Sequence, residues 1–289
     1  MLLTAAVSGL AIFTNKFFVG LYADPYVYTT VKNVLAAALL MALIALTREA
    51  GTLRRLARGD WLKLAAIGVV GGSVPFLLFF KGLTLTTAAS GAFIHKTMFV
   101  YVALLAAVFL GEGLNLRRLT AALILLAGNL LAIGLNAYTL NEGDMLILAA
   151  TLLWAAETII AKNALANIKP GVVASARMAF GSAVLLLFLA ATGRAGQLAA
   201  LTAQQLAAAA ATSVLLFLYT ATWYTGLKRL QASTATVVLM LGSPVTTALS
   251  AVFLSAAVPA AETAGILLLL AGVAAYVKVS AAGRQPAAA

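Results

Sequence analysis

Runs of about twenty apolar residues, the length of helix that crosses about 30 Å of hydrocarbon, recur along this chain with only short polar clusters between them. Within the runs, as at residues 34–46 or 266–276, polarity does not alternate. A transmembrane barrel needs alternation, so the runs predict helices, which satisfy their own backbone hydrogen bonds in lipid. With 63% hydrophobic and 9% charged residues and a mean hydropathy of +1.05, the composition lies outside the range of globular chains. Breaking the sequence at its polar clusters gives ten spans, at 2–21, 26–47, 61–81, 87–111, 117–136, 144–163, 170–191, 205–226, 231–254 and 260–279. The expectation is an all-α integral membrane protein with no room for a soluble domain.

Residues 82–128 repeat at 226–272 with a fixed offset of 144 and no gap. Gly-Leu opens both copies, Ala-Val-Phe-Leu recurs at 107–110 and 251–254, and Leu-Leu-Ala-Gly closes both. A second register agrees: Pro25 and Pro170 each precede a basic residue, Lys32 and Arg177, by seven positions, an offset of 145. The chain thus divides into a first repeat at 1–140, a second at 141–280 and a tail at 281–289 that is expected to be disordered in the cytoplasm. Each repeat holds five spans. An odd number obliges the second copy to enter the membrane upside down, so two inverted five-helix repeats are expected, a construction that places a substrate site near the midplane between them.

The net charge of +11 would suggest nucleic acid in a soluble protein. Here its distribution is the informative part. With the N-terminus in the cytoplasm, Arg48, Arg54, Arg55, Arg58, Lys63, Arg117, Arg118, Lys162, Lys169, Lys228, Arg229, Lys278 and Arg284 fall inside, and only Lys81 and Arg194 outside. The positive-inside rule therefore selects cytoplasmic N- and C-termini in an inner or plasma membrane. The partner is the lipid bilayer, and no nucleic acid is expected. There is no cysteine, hence no disulfide or thiolate metal site, and the first span lacks the basic leader of a signal peptide. No G-x-S-x-G, P-loop or H-E-x-x-H occurs, so neither enzymatic chemistry nor direct ATP drive is expected, and no cofactor or metal is implied.

Ionisable groups inside a span cost about 2.5–3.5 kcal/mol or more, so each is a functional candidate. Five places qualify: Lys16, Lys32, His95-Lys96, Glu157 and Arg177. Lys96, some ten residues into the fourth span, is too deep to snorkel. It either holds an anionic substrate group or pairs with Glu157. His95 points about 100° away from it, as a packing residue or as a ligand or proton carrier. Glu157 is the only acid in the interior of a span rather than at its edge. It reads as counter-ion to Arg177 or Lys96, as binder of a substrate amine, as a proton site, or as a structural partner. Arg177 is read as a cavity or gate residue, Lys32 equally as gate or snorkelling group, Lys16 as snorkelling. Four cations against one carboxylate favour a small-molecule substrate carrying a carboxylate or phosphate, with the proton as a candidate coupling ion. Monomer and homodimer are both compatible with the sequence.

Phe79-Phe80 and Trp223-Tyr224 stand at equivalent positions of the two repeats. They line a cavity or belong to interfacial belts. Trp154 and Tyr101, deeper in their spans, are expected to face the cavity. Pro75 and Pro244 are candidate hinges, Gly68, Gly72 and residues 88–92 are small enough for close helix packing, and Glu112 is expected to tie to Arg117 or Arg118.

Leu153-Trp154 in the sixth span, Arg177 early in the seventh, Gly226-Leu227 before a small-residue run, Pro244 in the ninth span and Leu110-Gly111-Glu112 closing the fourth occur in this order. On these residues the whole chain resembles the drug/metabolite transporter superfamily, in particular its ten-helix EamA-type members, with the YddG-like amino-acid exporters as the suspected subtype. Two positions depart from that pattern: Val100 in place of a proline, and Ser255-Ala256 in place of Gly-Glu. The resemblance implies a basket of ten helices around a central cavity, with spans five and ten peripheral, and a secondary transporter that exports or exchanges small polar metabolites, amino acids first, by alternating access. An organic-phosphate or nucleotide-sugar exchanger is the alternative within transport. A membrane-embedded enzyme or a channel is the alternative outside it.

Overall fold

The computed structural model describes residues 1–282 apart from 48, 87, 134–139 and 256, with all side chains of these except 16, 50, 88, 89, 92 and 133. The side chain of Lys16, part of the small-residue run at 88–92 and the tail beyond Ala282 thus lie outside the described residues. Among the described residues all regular structure is helical: α1 (Leu2–Phe18), α2 (Pro25–Leu46), α3 (Ala50–Leu53), α4 (Arg58–Gly72), α5 (Val74–Leu83), α6 (Ala88–Lys96), α7 (Met98–Leu110), α8 (Leu116–Ile133), α9 (Glu142–Ala164), α10 (Pro170–Ala191), α11 (Ala203–Arg229), α12 (Ala232–Leu239), α13 (Gly242–Leu254) and α14 (Ala260–Ala282).

Nine segments among the described residues are long and apolar enough to cross a membrane. They coincide with the first to fourth and sixth to tenth expected spans. The remaining one corresponds to α8, whose last described residue, Ile133, borders the segment 134–139. The third, fourth and ninth spans each consist of two helices in succession, α4 with α5, α6 with α7 and α12 with α13. Helix starts follow local chemistry. The Asp24 carboxylate accepts from the Tyr26 N–H ahead of Pro25, whose missing N–H costs nothing in a first turn. Asn141 and Asp144 close a reciprocal capping box on α9.

The principal contacts are α1 with α11 and α13, α2 with α10 and α11, α4 with α9 and α10, α5 and α7 with α9, α7 with α12, and α8 with α14. Exchanging the halves maps these pairs onto one another: the first span on the eighth becomes the sixth on the third, and the first on the ninth becomes the sixth on the fourth. The fold is therefore two related five-span bundles about a pseudo-twofold axis. With five spans per bundle, that axis must lie in the membrane plane. Helices α8 and α14 pack mainly on each other at the periphery, where a Cβ on Gly128 would stand 2.8 Å from the Gly265 carbonyl oxygen. At the α4–α10 crossing a Cβ on Gly181 would stand 2.5 Å from that of Gly72. Both contacts need bare backbone, as close-packed membrane helices do.

Side-chain ties gather the loops at two ends. At one end Lys169 pairs with Glu49 at 3.2 Å, Lys63 donates to Asn163, and Lys162 donates to the carbonyls of Leu227 and Leu230. This is the basic side. At the far side Arg194 pairs with Asp24 at 2.8 Å, Gln205 donates to the Leu21 carbonyl, and Thr86 donates to Asp144.

Candidate functional site

The fourth and ninth spans break at equivalent places. In the fourth, Thr97 separates α6 from α7, its N–H reaching the Phe93 and Ile94 carbonyls and its hydroxyl donating to Ile94 at 2.6 Å. In the ninth, Met240 and Leu241 separate α12 from α13, with tight bonds from Met240 N–H to Val237 and from Leu241 N–H to Val238. His95 and Lys96 form the last turn of α6, where the unpaired carbonyls of a helix end favour positive charge. Their repeat mates, 144 residues on, are Leu239 and Met240. All four line one cavity of about 50 Å³, together with Ser8 and Ile12 of α1, Met98, Phe99, Thr236, Gly242 and Ser243. Residues and their mates can share one cavity only where the axis passes, so the axis runs through this space.

Within it, Lys96 is partly buried and, among the described residues, has no hydrogen bond or ion pair. His95 turns away from it into an aromatic box. Its ring lies 5.4 Å from Phe79 and 4.9 Å from Trp154, centroid to centroid, and Nδ1 is buried without a partner among the described residues. Phe76 and Phe79 meet Trp154 at 5.4 and 5.5 Å.

A polar cluster lies on the basic side of the axis. Pro75, the second residue of α5, has no N–H to offer the carbonyl four residues back. That carbonyl belongs to Gly71, and it accepts from Trp154 Nε1 at 3.0 Å and from Arg177 Nη2 at 2.8 Å. The break at Ser73 and the proline thus turn backbone of the third span into an acceptor for the sixth and seventh. Glu157 flanks the same glycine: a Cβ on Gly71 would stand 2.8 Å from Glu157 Cδ and 3.1 Å from Arg177 Nε. Glu157 accepts from the Tyr224 hydroxyl at 2.5 Å. Neither Lys96 nor Arg177 forms an ion pair with it among the described residues. The Arg177 guanidinium lies 5.8 Å from the Phe76 ring.

The far side holds a counterpart. Lys32 Nζ donates to Asn15 Oδ1 at 3.2 Å and sits 5.5 Å from the ring of Phe80, the mate of Tyr224. Tyr28 hydroxyl bonds Asn15 at 2.5 Å and Thr212 at 3.0 Å. Like Arg177, Lys32 is more than nine-tenths buried and bonded to neutral oxygen rather than to a carboxylate.

The expected site residues therefore fall into three groups. His95 and Lys96 border the axial cavity, and Phe79 and Trp154 pack on the His95 ring behind it. Glu157 and Arg177 form the basic-side cluster with Tyr224. Tyr101 and Trp223 pack on the main core, Trp223 stacked on Tyr219 at 6.2 Å, and neither borders the axial cavity. Tyr224 is fully buried and bonded to Glu157, so it is no interfacial belt residue. Pro244 is the third residue of α13, one turn past the ninth-span break.

One expectation is corrected. Glu112 does not tie to Arg117 or Arg118. It crosses to the other repeat, where Oε1 accepts from the Ala232 N–H at 2.5 Å and Oε2 from the Ser233 N–H at 3.1 Å and the Ser233 hydroxyl at 2.5 Å. These are orphan donors of α12, for which a carboxylate is the favoured cap. Arg118 instead donates to Gln231 Oε1 at 2.8 Å and to the Gly113 carbonyl at 2.7 Å. The mate of Glu112 is Ala256, which has no acceptor to offer.

The comparisons with known proteins agree with this architecture. An uncharacterized transporter from the cobO 3' region of a Sinorhizobium species is 32% identical over 103 residues, which is 36% of this chain and 72% of that protein. A solved crystal structure superposes with a TM-score of 0.77 at 19% identity, covering 98% of this chain and 96% of the other, which shows a shared fold. The model of the EamA-like transporter family matches twice, over residues 1–134 and 141–277, one match for each repeat. The chain is a multi-pass membrane transporter and belongs to the EamA-like transporter family.

Proposed function

We propose that the protein is a secondary transporter that exports or exchanges small metabolites bearing a carboxylate, amino acids first, by alternating access across an inner or plasma membrane, with the basic side and both termini cytoplasmic. Lys96 carries this reading. It is a cation with no ion pair among the described residues, Glu262 being the acid whose field reaches it, at the end of a half-helix, beside the axis about which the repeats are related. An anion bound there has the same surroundings whichever side opens. A cavity of about 50 Å³ is far below the roughly 300–1,000 Å³ of ligand pockets, which fits a state closed around the axis between two openings. The aromatic box of Phe79, Trp154 and His95 offers a surface for an apolar side chain beside the charge.

The second reading, exchange of organic phosphates or nucleotide sugars, is favoured by Lys32 and Arg177, since both are buried cations bonded only to neutral groups. Proteoliposome uptake with a labelled amino-acid panel separates the two. Saturable uptake that Lys96→Ala abolishes supports the first, counterflow confined to phosphorylated compounds the second, and unsaturable flux would overturn both. Repeating the assay across a pH gradient with Glu157→Gln and His95→Gln tests proton coupling. Rates indifferent to the gradient and to both variants count against it.

A further inference from the structure

A groove of about 600 Å³ lies on the outer face of the bundle, between the first, ninth and tenth spans. Its walls are apolar, among them Leu2, Leu230, Val238, Leu241 and Val273, and its one charged side chain is that of Lys278. Lys278 is exposed and has no partner among the described residues. Leu270 to Lys278 covers about 12 Å of helix at 1.5 Å per residue, close to one leaflet of a hydrocarbon core about 30 Å thick. The groove therefore runs from the membrane surface at the basic side to near the midplane.

The repeat itself shows that the groove belongs to that side. The mate of Lys278 is Gly134 and the mate of Val273 is Asn129, whose amide donates to the Phe93 carbonyl across to α6. The lysine thus has no counterpart in the first repeat's sequence, and at the position of Val273 the first repeat has a polar contact instead. An apolar slot one leaflet deep with a free ammonium at the water end matches the two parts of a phospholipid. The net negative charge of the cytoplasmic leaflet supplies the complement to lysine.

We propose that this groove holds an acyl chain of one anionic phospholipid, with its phosphate on Lys278. The inference rests on the proposed orientation only for the identity of the leaflet. The chain end lies against Val238 and Leu241, while Leu239 and Met240 between them line the axial cavity. A bound lipid therefore braces the broken span from behind the substrate space.

The test is native mass spectrometry of the purified full chain, titrated in detergent with phosphatidylglycerol or phosphatidylcholine of matched acyl chains. One phosphatidylglycerol is expected to be retained in preference to phosphatidylcholine. Lys278→Gln, which keeps the shape, should weaken it about fivefold, the worth of one lysine near an anionic surface. Ala274→Trp, placed on the groove wall, should abolish retention of both lipids. Equal retention of the two headgroups, or unchanged binding in Lys278→Gln, would overturn the assignment. So would loss in Lys278→Gln with wild-type binding in a monodisperse Ala274→Trp, because that places the lipid outside the groove.

Discussion

Replacing Glu112 by alanine removes the only side-chain cap that α12 receives among the described residues. Gln231, at the cap position, makes no such bond. Ala232 and Ser233 are buried, so their N–H groups gain no full hydration when the carboxylate goes. Hydrogen bonds to a charged partner contribute about 1.5–3 kcal/mol each, and loss of an ordinary N-cap costs about 0.5–2 kcal/mol. Two buried backbone donors and one hydroxyl released together, partly rehydrated from the nearby surface, place Glu112→Ala at about 3 kcal/mol. Glu112→Gln keeps one acceptor oxygen without the charge and should lose about half of that. Thermal unfolding of the purified protein, followed by the fluorescence of Trp61, Trp154 and Trp223, reads the order directly: wild type above Gln above Ala. At roughly 2–4 °C per kcal/mol, the alanine variant should melt several degrees lower. The exposed Glu142→Gln serves as control. A melting temperature unchanged in Glu112→Ala would refute the view that this carboxylate holds the half-helix, as would equal losses in Glu112→Ala and Glu142→Gln.

Four further outcomes follow from the same reasoning. Ser255 ends α13 in the left-handed region at φ 50°, where its mate Gly111 sits at φ 67°; Ser255→Gly should therefore raise stability by about 0.5–1 kcal/mol in the same melting assay. Gly181→Ala drives a Cβ into the backbone of Gly72 and should lower stability by about 1–3 kcal/mol, read as a fall in the yield of monodisperse protein and in its melting temperature. On the far side, Asp24→Ala should cost more than Arg194→Ala, because Asp24 both pairs with Arg194 and caps α2, whereas a partly exposed ion pair alone contributes about 0–1 kcal/mol. Pro75→Ala restores an N–H that competes for the Gly71 carbonyl, so it should slow transport at unchanged expression; a rate equal to wild type would mean that the bonds from Trp154 and Arg177 do not need the freed acceptor.

The ten-span plan and the symmetric contact set were legible because hydropathy and a 144-residue offset are properties of the chain itself. Nine spans stand where the polar clusters placed them. The break beside Lys96 was not legible. Nothing at 95–100 signals an interrupted helix, since Val100 stands where a proline would have marked it, and the interruption shows only as backbone bonds tightening around Thr97. Pro75 was visible as a candidate hinge, but its effect falls on Gly71, whose free carbonyl is claimed from two other spans. The partner of Glu112 lies 120 residues away in the other repeat. A local reading finds Arg117 and Arg118 first for that reason. A sharper use of the repeat could have found the clue, because Glu112 faces Ala256 in the alignment and such a one-sided acid needs a one-sided partner.

The position of the axial cavity has a thermodynamic consequence. If the two bundles exchange roles during transport, a group close to their symmetry axis keeps nearly the same surroundings in both end states, so Lys96 weighs little on the resting preference between them. That preference must arise from positions where a residue and its mate differ in chemistry away from the axis. Glu112 opposite Ala256, and Phe80 beside Lys32 in the far-side cluster opposite Tyr224, bonded to Glu157, in the basic-side one, are the places where this chain has unequal weights on its balance.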